Sequence, residues 1–324
     1  MLNVHRVGEL MVKREEFTYD SRDEKGTKIH AFRWLPETDA PVCIVQLVHG
    51  MAEYVERYDE FARYLAEHDI VVVGNDHLGH GRTASEGNGV YGYFCEQDPA
   101  TVVVRDVHRL KKLTQEQYVG VPYIILGHSM GSFIVRNYLM RYGKGIDGAI
   151  ILGTGENPAY MVRIAKLCVR LTSLFHKQTH PSEFLNAATF GSYLKRIQEP
   201  RTAMDWVCSD PDVVDKYMED KLCGFTFTIN GFQTLYELAG RCQDSEGLRQ
   251  IPKKLPILLA AGADDPVGEY GLAPKKVYDT FLNLDMTKVQ LKLYKNARHE
   301  LLNETIRPKV YKDLLNWILA VIGS

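Results

Sequence analysis

The chain has 324 residues, of which 45% are hydrophobic and 25% charged. That length suits one large α/β domain carrying an insertion, and the composition excludes disorder, collagen-like structure and a multi-span membrane protein. With 39 Lys and Arg against 41 Asp and Glu the formal net charge is −2, which leaves no positive excess to neutralise phosphates and argues against nucleic acid as a partner.

The opening residues, Met1 to Arg6, run toward Lys13-Arg14-Glu15-Glu16 with no continuous apolar stretch after the first basic residue, so no secretory leader is read there. Glu16–Tyr19 and Lys28–Trp34 then read as an antiparallel strand pair joined by the turn-rich Asp23-Glu24-Lys25-Gly26. Cys43–Val48 is a short apolar run suited to a buried strand. Tyr58, Phe61, Ala62 and Leu65 recur at helical spacing before the next buried strand, Ile70–Val73. A helix over about 101–118 leads to a strand at Tyr123–Leu126, a helix from Phe133 to Tyr142 and a strand at Gly148–Leu152. Such alternation predicts a mostly parallel sheet covered on both faces.

The rhythm stops from about Glu156 to Arg249, where helical patterns occur without a convincing buried strand. It resumes with strands at Leu255–Ala260 and Val289–Tyr294, and a last helix carries Ile306, Val310, Leu314, Trp317 and Val321 on one face. The expected organisation is therefore a discontinuous core, 1–155 with 250–324, interrupted by a helical cap over 156–249. No apolar stretch is long enough to span a bilayer. Six cysteines (Cys43, Cys95, Cys168, Cys208, Cys223, Cys242) stand apart without a C-x-x-C pair. That pattern argues against zinc and a disulfide scaffold, and for reduced thiols in a cytoplasmic protein.

Gly127-His128-Ser129-Met130-Gly131 follows the Tyr123 strand directly and opens a helix, as a nucleophile on a sharp strand-to-helix turn requires. A serine hydroxyl needs a base, and the base needs an orienting acid. In a Ser–acid–His order the acid follows the Ile257 strand, within Asp264-Asp265-Pro266-Val267, and the base follows the strand ending at Tyr294. His299 is the only histidine after either aspartate. Asp265 is preferred to Asp264 because it sits where the loop turns away, just before Pro266. Glu156 is the only acid available after the Gly148 strand. An oxyanion hole is also required: Met130 supplies one backbone N–H, and the loop His49-Gly50-Met51-Ala52-Glu53 supplies the other, assigned to Met51. This chemistry calls for no metal or organic cofactor.

Together these residues resemble the monoacylglycerol lipase and lysophospholipase branch of the α/β-hydrolase superfamily. His49-Gly50-x-x-Glu53-x-x-x-Arg57-Tyr58 is similar to that family's HG-x-x-E-x-x-x-RY segment, and Asp76-His77-x-Gly79-His80-Gly81 to its D-H-x-GHG loop. Val104-Arg105-Asp106-Val107 and the serine motif follow in order, and Ser209–Cys223 is similar to the cap signature. Tyr54 stands where the family usually has His, Lys221 where it has Pro, and Thr83 where Ser is common. The resemblance implies an α/β-hydrolase fold and hydrolysis of a small-molecule or lipid ester. It also implies that Glu53 and Arg57 lie near the substrate head group; the alternative is an internal pair bracing the oxyanion loop. Tyr160, Met161, Ile164, Ala165, Cys168, Leu171 and Phe175 form an apolar stripe at helical spacing. It reads as packing onto the core, or else as an acyl tunnel wall or a surface for peripheral contact with membranes or micelles. Three other readings compete. They are a short-chain carboxylesterase, an S33-type aminopeptidase whose cap acids (Asp205, Asp210, Asp212, Asp215, Glu219, Asp220) would hold an amine, and a silent binding protein.

Overall fold

The computed structural model describes residues 12–323. The leader reading at Met1 to Arg6, and the outermost ends of the core, 1–11 and 324, lie outside the described residues. Strands β1 (Lys13–Asp20) and β2 (Lys28–Leu35) form the expected antiparallel pair. Next come β3 (Cys43–Val48), α1 (Asp59–Ala66), β4 (Ile70–Asn75), α2 (Gly81–Ser85), α3 (Pro99–Gln117), β5 (Tyr123–His128), α4 (Met130–Tyr142) and β6 (Gly148–Leu152). Five helices follow: α5 (Ala159–Ser173), α6 (Glu183–Phe190), α7 (Pro211–Glu219), α8 (Ile229–Arg241) and α9 (Ser245–Gln250). The chain then closes with β7 (Ile257–Gly262), α10 (Leu272–Leu282), β8 (Val289–Tyr294) and α11 (Arg307–Ile322). Between β6 and β7 the strand pairing among the described residues is one bridge, Pro181 to Thr228.

The eight strands lie in the order β1-β2-β4-β3-β5-β6-β7-β8, parallel from β4 through β8 and antiparallel at β1 and β2. Because side chains alternate along a strand, a buried run must feed two cores. In β3, Cys43, Val45 and Leu47 face the layer that holds Phe61, Leu65, Leu314 and Trp317 of α1 and α11. Ile44 and Val48 face the opposite layer, with Val107 of α3, Ile134 of α4 and Phe281 of α10. The polar exception, Gln46, is satisfied inside that second layer: its Nε2 donates to the Val107 carbonyl at 3.0 Å and its Oε1 accepts from Tyr123 Oη at 2.6 Å. Parallel strands place their C-terminal ends on one edge, and the loops after β3, β5, β7 and β8 converge there, where open α/β sheets carry their sites.

Most of the apolar stripe on α5 faces away from the core, and Cys168 packs against it. Val162 and Val169 face inward, while Tyr160, Ile164 and Leu171 on the opposite side are more than half exposed, and Phe175 just beyond the helix is 81% exposed. Ala165 and Cys168 lie at the margin, half-buried. At 3.6 residues per turn, positions 162 and 169 fall opposite 160, 164, 167 and 171, so the helix has two apolar faces and only one is covered.

Candidate active site

Ser129 joins β5 to α4 with φ 54° and ψ −121°, a backbone conformation that non-glycine residues rarely adopt. The neighbours make it possible. A Cβ at Gly127 would run into the carbonyl of Gly131, and one at Gly131 into the carbonyl of Val48, so only glycine lets the turn close against β3. Ser129 N–H donates to the Leu152 carbonyl at 3.0 Å, which ties the turn to β6. As first residue of α4, Met130 has an N–H with no acceptor inside the helix, at the positive end of the helix dipole.

His299 and Asp265 meet beside this turn. His299 Nδ1 donates to Asp265 Oδ2 at 3.0 Å, and Asp265 Oδ1 accepts from Val267 N–H at 2.9 Å. Asp265 is fully buried, whereas Asp264 is exposed. Glu156 is engaged elsewhere, by Arg136 at 2.6 Å. The proton on Nδ1 leaves His299 Nε2 with a free lone pair, and that atom is buried without a hydrogen-bond partner. Ser129 and His299 line one cavity of about 270 Å³ together with Met51 and Met130. In unliganded sites the serine–histidine hydrogen bond is commonly long and tightens only with substrate.

Most of the cavity wall comes from the helical segment between β6 and β7: Phe190, Tyr193, Leu194, Trp206, Leu235 and Ala239 among others. The α5 stripe contributes none of it, which removes the tunnel-wall reading of those residues. Nor does any of the six acids from Asp205 to Asp220 line the cavity. They are not uniformly solvated, however: Asp205 is buried and accepts from Arg201 N–H and Thr202 Oγ1, both at 2.6 Å.

Glu53 and Arg57 are brought together, and their partners are the protein's own. Glu53 Oε1 accepts from Gly50 N–H at 2.6 Å, Tyr58 Oη at 2.9 Å and His128 Nδ1 at 3.1 Å, and Oε2 accepts from Arg57 at 3.0 Å. Arg57 also holds the Glu300 carboxylate with both terminal nitrogens, at 2.5 and 2.7 Å. Glu53 and Glu300 border the cavity; Arg57 does not. That arrangement fits the bracing alternative for Arg57, whose guanidinium faces two of the protein's own carboxylates and does not border the cavity.

Charge explains why so many titratable groups tolerate burial here. Burial alone would raise the Glu53 carboxyl pKa, but the His128 hydrogen bond and the charges of His128 and Arg57 hold it well below the usual range. For His128 burial works downward and is outweighed by Glu53, so its pKa is raised. Both His128 nitrogens face acceptors, since Nε2 lies 3.3 Å from the His299 carbonyl. The His128 ring therefore links the loop after β3 to the loop that carries His299. His128, Glu300 and Tyr58 were missed as functional residues, although each sits in or beside a quoted motif. Their neighbours in sequence carry the recognisable pattern, while their partners come from distant segments.

Comparison with known proteins agrees with this geometry. The family model described as "Serine aminopeptidase, S33" matches residues 39–306. A monoacylglycerol lipase of Mycolicibacterium smegmatis is 27% identical over 298 residues, covering 91% of this chain and 94% of that protein. The Homo sapiens monoglyceride lipase is 26% identical over 300 residues, covering 88% and 84%. Among solved structures, a thermostable carboxyl esterase from Bacillus coagulans in complex with glycerol superposes with TM-score 0.88 at 30% identity, covering 96% of this chain and all of that one. With the parallel sheet, the strand-to-helix serine and a family match over most of its length, the chain belongs to the serine aminopeptidase S33 family of α/β-hydrolases.

Proposed function

We propose that this protein hydrolyses carboxylic esters through an acyl-enzyme on Ser129, with monoacylglycerol-type lipid esters as its substrates. The observation that carries the reading is a single, largely apolar cavity that ends on Ser129 and on the unpartnered Nε2 of His299. In the proposed sequence His299 Nε2 takes the Ser129 proton as Oγ attacks the ester carbonyl, and Asp265 keeps the Nδ1–H tautomer in place. The N–H groups of Met51 and Met130 receive the developing oxyanion. His299 returns its proton to the leaving glycerol oxygen, then activates water to release the acid.

In this reading the core is 1–155 with 250–324, and 156–249 forms the cap that walls the acyl site. Glu53 and Arg57 act at the head-group end by holding the loop in shape, with Glu53 closest to the substrate. The lipase relatives and the apolar lining support a lipid ester. The uncovered face of α5 supports peripheral contact with a membrane or micelle: Tyr160, Ile164, Leu167, Leu171 and Leu174 are all more than half exposed on it. No helix among the described residues is long and apolar enough to cross a membrane. A cytoplasmic setting accords with the six free cysteines.

The 30%-identical carboxyl esterase favours one second reading, a short-chain carboxylesterase with the same machinery. The amine-binding reading lacks support because the two carboxylates at the cavity are already engaged. Measuring kcat/KM on monoacylglycerols from short to long acyl chains, beside lysophospholipid and an aminoacyl amide, separates these. A maximum at medium or long monoacylglycerols is expected, with Ser129→Ala inactive. Activity confined to short soluble esters would overturn the lipid assignment, and an active Ser129→Ala would overturn the mechanism.

A further inference from the structure

The loop that offers Met51 N–H is held from two sides. From the core, the Glu53 carboxylate grips Gly50 N–H. From the helical segment, Gly224 N–H and Tyr217 Oη both donate to the Ala52 carbonyl, at 3.0 and 3.2 Å. Tyr54 Oη donates to Asp220 Oδ2 at 2.8 Å, while Asp220 Oδ1 accepts from Leu222 N–H at 2.8 Å and so shapes the turn that presents Gly224. Ala52 itself has φ 50°, in the left-handed region that a residue with a side chain adopts only when its surroundings impose it. Its carbonyl, doubly bonded to the segment above, is what imposes it.

We propose that Tyr54 and Asp220 form a latch by which the segment closing over the cavity sets the oxyanion loop, making both positioning residues for the Met51 N–H. Met51 N–H shares its rigid peptide plane with the Gly50 carbonyl, which faces His49 Nδ1 at 2.8 Å, so with Gly50 held from the core and the Ala52 carbonyl held from the helical segment the short run through Met51 is anchored at both ends. Tyr54 is also the residue that departs from the family pattern at this loop, so the latch is a property of this chain. Ordinary packing would explain a half-buried tyrosine ring. It does not explain a hydroxyl aimed at a carboxylate whose other oxygen organises the turn bonded to Ala52.

The proposal rests on the oxyanion role of Met51, and its test separates the two. Tyr54→Phe, Asp220→Ala and the double variant are assayed on a short soluble ester, and their affinity for a trifluoromethyl ketone, which forms the tetrahedral oxyanion on the serine, is measured alongside. Removing an oxyanion donor outright costs about 10²–10³-fold in kcat, so a misaimed donor is expected to cost roughly 10-fold. The expected pattern is a fall in kcat with KM little changed, a matching loss of ketone affinity, and a double variant no worse than either single one. A lowered melting temperature with kcat and ketone affinity at wild-type values would overturn the latch alone. Failure of the ketone to inhibit the wild-type protein would instead overturn the oxyanion reading beneath it.

Discussion

The two aspartates after β7 differ by one position and by everything around them. Asp265 is fully buried with both oxygens engaged, one of them by His299, while Asp264 faces water. Asp265→Asn is expected to lower kcat by about 10²-fold or more, because the amide favours the wrong tautomer of His299, and Asp264→Asn to stay within about two-fold. Steady-state kinetics on one soluble ester checks the pair; equal losses would remove Asp265 from its role. Glu53 carries a different kind of weight. Glu53→Ala would leave the buried His128 and part of Arg57 without a counter-charge, and the loss of stability is expected to be about 3–5 kcal/mol in denaturant unfolding. At this scale the sequence singles out Ser129 through its strand-to-helix motif and His299 as the only histidine after the aspartates, and the structure brings both to one cavity. The role of Arg57 was not legible, because its carboxylate partner Glu300 is far away in the chain and nothing in the local pattern reveals whether a guanidinium is free.

Strands and core helices follow from hydrophobic period alone, since β3 to β7 are wholly buried and must be apolar on both faces. Helix α10 escaped the reading, and the sequence leaves the α5 stripe open between packing onto the core, a tunnel wall and a surface for lipid contact. Periodicity finds an apolar stripe without saying which side of a helix is covered. The outward face of α5 makes a prediction of its own. Leu167→Ser with Leu171→Ser should weaken flotation with lipid vesicles several-fold and leave hydrolysis of a short soluble ester unchanged; equal flotation of both proteins would dismiss the membrane contact. The cavity wall makes another. Ala239 lies on α8 and lines the cavity. Ala239→Phe is expected to depress kcat/KM for long monoacylglycerols by about 10-fold while sparing short ones, a shape effect worth one or two methylenes at about 0.8 kcal/mol each. A uniform loss across chain lengths would place the acyl group elsewhere.

At the scale of the whole molecule, buried histidines at the sheet edge contribute a loss of stability in acid. His49, His77 and His80 are packed together, with ring centroids 4.0 Å apart for the first two and 5.2 Å between His49 and His80. Burial pushes the His49 pKa down to about 4 and that of His80 to about 3, so the folded cluster stays neutral. An unfolded chain takes up protons on these groups below about 6.5, so stability is complete above that pH and declines as the pH falls toward about 4. His80 is ringed by Phe94, Phe225 and Phe227. His80→Phe should therefore gain melting temperature relative to wild type on acidification, and parallel curves would contradict the assignment. Under the proposed function, Ser129 becomes acylated by a lipid ester. Rapid acid quench during turnover of a long-chain monoacylglycerol, followed by peptide mass analysis, reads that claim directly. The expected result is the fatty acyl mass on the peptide containing Ser129 and nowhere else. Turnover with an unmodified Ser129 peptide at every quench time, or acyl mass on another residue, would contradict it.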